Sequence, residues 1–153
     1  MKRIEVKLAL PVVAPLLDVI KGMADGLRSN LAAPLGPVDL DAEFTAAWTG
    51  ELLDAQNADV RALLAMFNDE FFSEGVIAFD EDNAEQIVRA TAAIRLRLRE
   101  HYLKPLGDET LESGNVELEH LDEPLRKAFM CYLFLATIQE LIIQHLDSSI
   151  LES

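Results

Sequence analysis

The polar pair Gln139 and Glu140 stands out because it interrupts an apolar stretch. Phe129 to Ala136 precede it with only Thr137 and Ile138 between, and Leu141, Ile142 and Ile143 follow. A carboxylate buried in such surroundings has a raised pKa and can serve as a general acid or base. A histidine brought in by the fold would complete a proton-transfer pair, so Glu140, His145 and His101 are the catalytic candidates. The competing role is structural. Arg95 and Arg99 share a helical face, either could pair with Glu140, and structural ion pairs perturb pKa values as well. Pairing is the favoured expectation.

Other reactive groups offer less. Glu117-Leu-Glu-His120 is one Glu-x-x-His motif, whereas a carboxylate-bridged di-iron bundle needs two, with further inward glutamates. His101 and His145 sit near helix C-termini, where the dipole favours a cation. The single cysteine, Cys131, lies among Met130, Tyr132 and Leu133. It reads as a buried, inert thiol, since a catalytic thiolate needs a positive, partly exposed setting. Glycine-rich dinucleotide and phosphate loops, the nucleophile elbow and His-Glu-x-x-His are all absent. No metal and no cofactor is expected.

The charge balance narrows the partners. Against 13 Lys and Arg stand 27 Asp and Glu, a net charge of −14. That field opposes nonspecific attraction to nucleic acid or an anionic membrane. The one dense basic run is Arg89, Arg95, Arg97, Arg99 and Lys104. At about 100° per residue it spreads around a helix instead of forming a stripe. A local anion or nucleic-acid site there ranks below a solvated helix.

These residues must be positioned mainly by helices. The segment from Asp122 to Leu146 carries agreeing start signals: Asp122 as cap, Glu123 at the positive dipole end and Pro124 in the first turn. Its apolar residues lie on nearly every side from Ala128 to Ile143, which requires burial against several neighbours. A membrane span needs about 20 mostly apolar residues. Gln139 and Glu140 inside a shorter run favour a core helix.

Ahead of it, Ile4, Val6 and Leu8 alternate with Arg3, Glu5 and Lys7, as in a half-buried edge strand. That alternation, with Pro11 and Pro15 in the following apolar run, argues against a secretory signal. A first helix should start between Pro11 and Pro15 and turn Val12, Leu16, Val19, Ile20, Met23 and Leu27 inward. Gly22 and Gly26, four apart, either permit close helix approach or lower its stability. Ser29 to Pro37 is a turn-rich connector.

Asp39 or Asp41 then caps a helical region in which Phe44, Trp48, Leu52 and Ala55 share a face. Val60, Leu63, Leu64 and Phe67 nearly continue that face. Residues 41–68 could be one helix or two, restarting at Asn57-Ala-Asp59. Trp48 reads as a core anchor.

Val76 to Phe79 is extended after Gly75. Asp80 caps a helix to about Leu103, with Ala84, Ile87, Val88, Thr91, Ile94, Leu98 and Tyr102 inward and Glu85 and Arg89 paired outside. Pro105 and Gly107 stop it. Gly107 to Asn115 reads as an acidic loop, and Val116 to His120 alternates like a strand or belongs to a loop. The extended pieces could form a small sheet that needs the helices for support.

Four stretches carry a resemblance: Ile4-Glu-Val-Lys-Leu8 into Leu17; Ala42-Glu-Phe-Thr; Asn83 to Leu98; and Tyr132-Leu with Ile138-Gln-Glu-Leu-Ile142. In these the chain resembles an uncharacterised bacterial, mainly actinobacterial, domain-of-unknown-function family often encoded beside the Clp protease adaptor. The resemblance implies a mainly helical fold and an adaptor or regulatory role, and it transfers no site residues.

The expectation is one mainly α-helical domain over residues 1–153, a bundle around a buried C-terminal helix with a minor short-stranded β component. The favoured function is a cytoplasmic, non-enzymatic interaction or regulatory protein with a protein partner, which a second copy could supply as a homodimer. The alternatives are an enzyme using Glu140 with a histidine assembled by the fold, and a DNA-binding regulator.

Overall fold

The computed structural model describes residues 3–32, 42–113 and 117–146. The expected caps Asp39 and Asp41 lie outside them.

Strand β1 (Arg3–Lys7) pairs antiparallel with β2 (Val76–Asp80). The register sets Ile4 opposite Phe79 and Val6 opposite Ile77, so the two apolar faces coincide. Ile77 and Phe79 are buried, while Arg3, Glu5 and Lys7 point to solvent. Two short strands cannot stand alone; here the helices cover the inward face.

Helix α1 (Leu10–Leu27) begins earlier than expected, with Pro11 in the first turn, where its missing N–H costs nothing. Val13 faces the core and Val12 is half exposed, so the inward stripe runs from Val13 through Leu16, Leu17, Ile20, Met23, Ala24 and Leu27. Helix α2 (Ala42–Leu64) is one continuous helix through Asn57-Ala-Asp59.

Helix α3 (Asp69–Glu74) is capped by Asn68, whose side chain accepts from the Phe71 N–H, and it ends at Gly75. Gly75 has φ 74°, and its carbonyl accepts from the Leu8 N–H at 2.7 Å. A Cβ there would meet the Leu8 carbonyl oxygen as well as the left-handed backbone, so only glycine fits.

Helix α4 (Ala84–His101) starts one turn after Asp80. Asp80 is not the cap. Its carboxylate accepts from the Asp82 and Asn83 N–H groups, and the Asn83 side chain accepts from the Asp80 N–H in return. Asn83 occupies the cap position. The short polar side chains thus shape a turn that hands the strand to the helix. Ala84, Ile87, Ala90, Thr91, Ile94 and Leu98 are buried; Tyr102 is exposed instead of completing the stripe.

A 3-10 turn at Lys104–Leu106 leads into helix α5 (Gly107–Ser113) where a loop was expected. Buried Leu111 gives this short helix an inner side. Leu118–His120 is a 3-10 turn, so no third strand forms from it; Val116 lies outside the described residues.

Helix α6 (Glu123–His145) has the expected cap: the Asp122 carboxylate accepts from the Leu125 N–H at 3.0 Å. It packs on α4 and α1, and α4 in turn packs on α2, α6 and α1. Ala128, Phe129, Cys131, Tyr132, Leu135, Ile138 and Ile142 are buried. Leu133 and Phe134 are half-buried and Ile143 is exposed. The C-terminal helix is therefore a partly buried member of the bundle, and it is also long and apolar enough by composition to cross a membrane.

Candidate functional site

Glu140, the leading catalytic candidate, lies on the exposed side of α6. Its carboxylate accepts from the Gln144 side-chain amide one turn on, at 3.0 Å. The low-dielectric surroundings that acid–base chemistry would need there are missing. Neither His145 nor His101 bonds to it among the described residues; both are exposed, His145 on the last turn of α6 and His101 on the last turn of α4.

Arg95 does not reach Glu140 either. It donates to the Gln139 side-chain oxygen and lies over the Tyr132 ring, 4.4 Å from its centre. Gln139 in turn donates to the Val88 carbonyl at 3.3 Å. Gln139 is thus the inward member of the polar pair and ties α6 to α4.

The structure gathers a different set of residues. On α2, Asp59 is buried and accepts from Arg89 of α4 through Nε at 2.9 Å and Nη2 at 3.0 Å. Arg89 also reaches Glu85, the expected pair, at 2.6 Å. The Asp59 hydrogen bonds lead in holding the Arg89 pKa above its ordinary value. Planar guanidinium against carboxylate sets both helices in register.

One turn earlier on α2, Gln56 spans the gap to the end of α1. Its amide nitrogen donates to the Leu27 and Asn30 carbonyls at 2.8 and 3.1 Å, and its oxygen accepts from the Ala32 N–H at 3.0 Å. Asn57 adds a bond to the Arg28 carbonyl. These bonds satisfy the Leu27, Arg28 and Asn30 carbonyls and the Ala32 N–H past the end of α1 and tie this segment to α2 as a wall.

That wall bounds two adjoining open clefts. One, of about 420 Å³, runs between α2 and α4 over Leu52, Ala55, Ala92, Ala93 and Leu96. The other, of about 660 Å³, is lined by Asn30, Arg97, Glu100 and His101. Leu31, Ala32 and Leu96 line both, so the two are continuous. Arg97 sits against Gly26 of α1, where a Cβ would collide with the guanidinium. The Arg97 Nε is buried and has no hydrogen-bond partner.

The first half of α2 continues this face as an apolar stripe. Phe44, Trp48 and Leu52, four apart, are 48, 46 and 38% exposed. The Phe44 and Trp48 rings meet edge to face with centres 5.6 Å apart. The sequence pattern found the stripe and misjudged which side of the protein it faces. Trp48 is no core anchor. The core takes Val60, Leu63 and Met66 from this region instead.

Gln56 and Asp59 went unrecognised in the sequence, because a polar residue on a helix gives no sign of which neighbour it will meet. Gly26 gave one signal, its place in the Gly22–Gly26 pair. Cys131 is buried as expected, and burial pushes its thiol up to about 12. No group of three or more metal-ligating side chains forms among the described residues.

A family model described as a domain of unknown function (DUF2017) matches residues 29–146, well over half of the chain. No curated protein and no solved structure matches it. The matched stretch contains α2, α4 and the Leu31–Ala32 wall, and so nearly all of the cleft-bearing face.

Proposed function

We propose that this chain, which belongs to the domain-of-unknown-function family DUF2017, is a non-enzymatic interaction protein that docks a segment of a partner protein on its α2–α4 face. The observation that carries this is the stripe Phe44, Trp48 and Leu52, exposed in a row and leading into the α2–α4 cleft. Single exposed apolar residues are ordinary, but a contiguous row with two aromatics marks a contact surface. Tryptophan is also enriched where binding energy concentrates. The wall beside the cleft is already tied to α2 by three Gln56 hydrogen bonds, and a preformed site lowers the ordering cost of binding.

The acidic net charge favours a partner that is neutral or basic overall. A second copy of this chain has the same stripe but also the same charge, so a different protein fits better. A regulatory role would follow from what is docked.

Photo-crosslinking tests the proposal. With benzoylphenylalanine in place of Trp48, a discrete heavier adduct is expected in cells, and none from the same probe at Glu5 on the strand edge. An adduct of twice the chain mass would make the partner a second copy. Equal labelling from both positions, or none from either, would overturn the proposal.

A further inference from the structure

We propose that the groove between α1 and α2 binds a small organic phosphate monoester, with the phosphate on Lys21, Arg28 and Arg61 and the apolar body on Ala24, Val60 and Leu64. This site stands apart from the docking face. Leu52, Ala55 and Asp59 turn one face of α2 to the cleft, while Val60, Arg61 and Leu64 turn another to the groove. The groove holds about 610 Å³, within the range of about 300–1,000 Å³ found for small-ligand sites.

Charge carries the proposal. Three cations against one carboxylate, Asp25, leave the lining at +2 on a chain of net charge −14. Asp25 neutralises little. It meets Arg28 at 3.5 Å with both side chains 70% or more exposed, and exposed pairs are weak. Lys21 and Arg61 make no ion pair among the described residues. At physiological salt, exposed charges more than about 8 Å apart are largely screened, so the cations at the groove outweigh the distant carboxylates. The carbonyls at the end of α1, which would repel an anion, are already taken. Gln56 donates to those of Leu27 and Asn30, and Asn57 to that of Arg28.

A phosphate monoester carries about −1.5 to −2 at neutral pH, which balances the lining, and its three free oxygens accept from several donors at once. A carboxylate would leave one cation unmatched. Between the cations the wall is apolar, with Ala24 and Val60 buried and Leu64 half-buried, so the rest of the ligand gains by leaving water there. A nucleic acid or an anionic membrane would run on past the groove over acidic surface, exposed Asp18 among it, and is opposed by the same charge count.

Titration of the full chain, followed through the backbone amide NMR signals of Ala24, Val60 and Leu64, tests this with phenyl phosphate, benzenesulfonate, phenol and inorganic phosphate. Phenyl phosphate is expected to shift these signals and saturate. Benzenesulfonate, the same ring with a single charge, should bind about two- to fivefold more weakly. Equal binding of these two, or of phenol, would overturn the phosphate assignment. Inorganic phosphate binding as tightly as phenyl phosphate would overturn the apolar body, and no saturable shift with any probe would overturn the site.

Three variants separate a site from the general field. Arg61→Gln should weaken phenyl phosphate by about two- to fivefold, and Asp25→Asn should tighten it by a similar factor, a gain that damage to the fold cannot imitate. Arg3→Gln changes the net charge as Arg61→Gln does but lies on β1, outside the groove, and should leave binding unchanged. Equal weakening by Arg3→Gln and Arg61→Gln would mean attraction to overall charge and no site. Crosslinking from Trp48 is independent of all these outcomes.

Discussion

Asp59 of α2 holds Arg89 of α4 through two hydrogen bonds of 2.9 and 3.0 Å, and the carboxylate is buried while the guanidinium is half exposed. The pair fixes how α2 lies on α4, and the docking cleft is the space left between them. Asp59→Ala removes both bonds but leaves Arg89 its contact with Glu85 and with water. It should lower stability by about 1–2 kcal/mol, less than a fully buried pair would lose. Urea unfolding measures this, and an unchanged midpoint would mean that the two helices meet by apolar contact alone.

Phe129 faces the core from α6 and is 1% exposed. Phe129→Ala should cost about 3–5 kcal/mol, because the ring leaves a cavity that neighbouring helices fill only in part. Near-zero loss in the same unfolding assay would mean that α6 is not packed on α4 and α1.

Cys131 provides a pH test. Burial raises its thiol from an ordinary 9.0 to about 12. In the unfolded chain it loses its proton at lower pH than in the folded one. Stability from this group is therefore whole below pH 9 and is lost as pH rises toward 12. At pH 8 the native thiol should resist a disulfide reagent that labels the unfolded chain at once. Rapid labelling of the native protein would show that α6 opens.

Much of the architecture was legible because period and caps agree. The Ile4-Val6-Leu8 alternation, the Asp122-Glu123-Pro124 start and the Ile87-Thr91-Ile94-Leu98 stripe each carry local physics that the fold does not override. The misreadings fall where a pattern marks a face without naming what it faces. Phe44, Trp48 and Leu52 have the spacing of a core stripe and lie half exposed. Gln139 and Glu140 are adjacent polar residues, yet a helix turns about 100° per residue, which sends Gln139 to α4 and Glu140 to solvent. The cleft was not legible at all. Arg97, Gln56 and Gly26 come from three helices, and only the tertiary fold brings them to one place.

Whether the partner binds the exposed stripe is tested by one paired measurement on Trp48→Asp, with benzoylphenylalanine at Leu52 as the crosslinker. An exposed residue outside the core changes stability by no more than about 0.5 kcal/mol. The expected result is an unfolding midpoint close to that of the unsubstituted chain, with the Leu52 adduct lost. A collapse in stability would place Trp48 in the core after all, and an undiminished adduct would mean that the stripe is not where the partner binds.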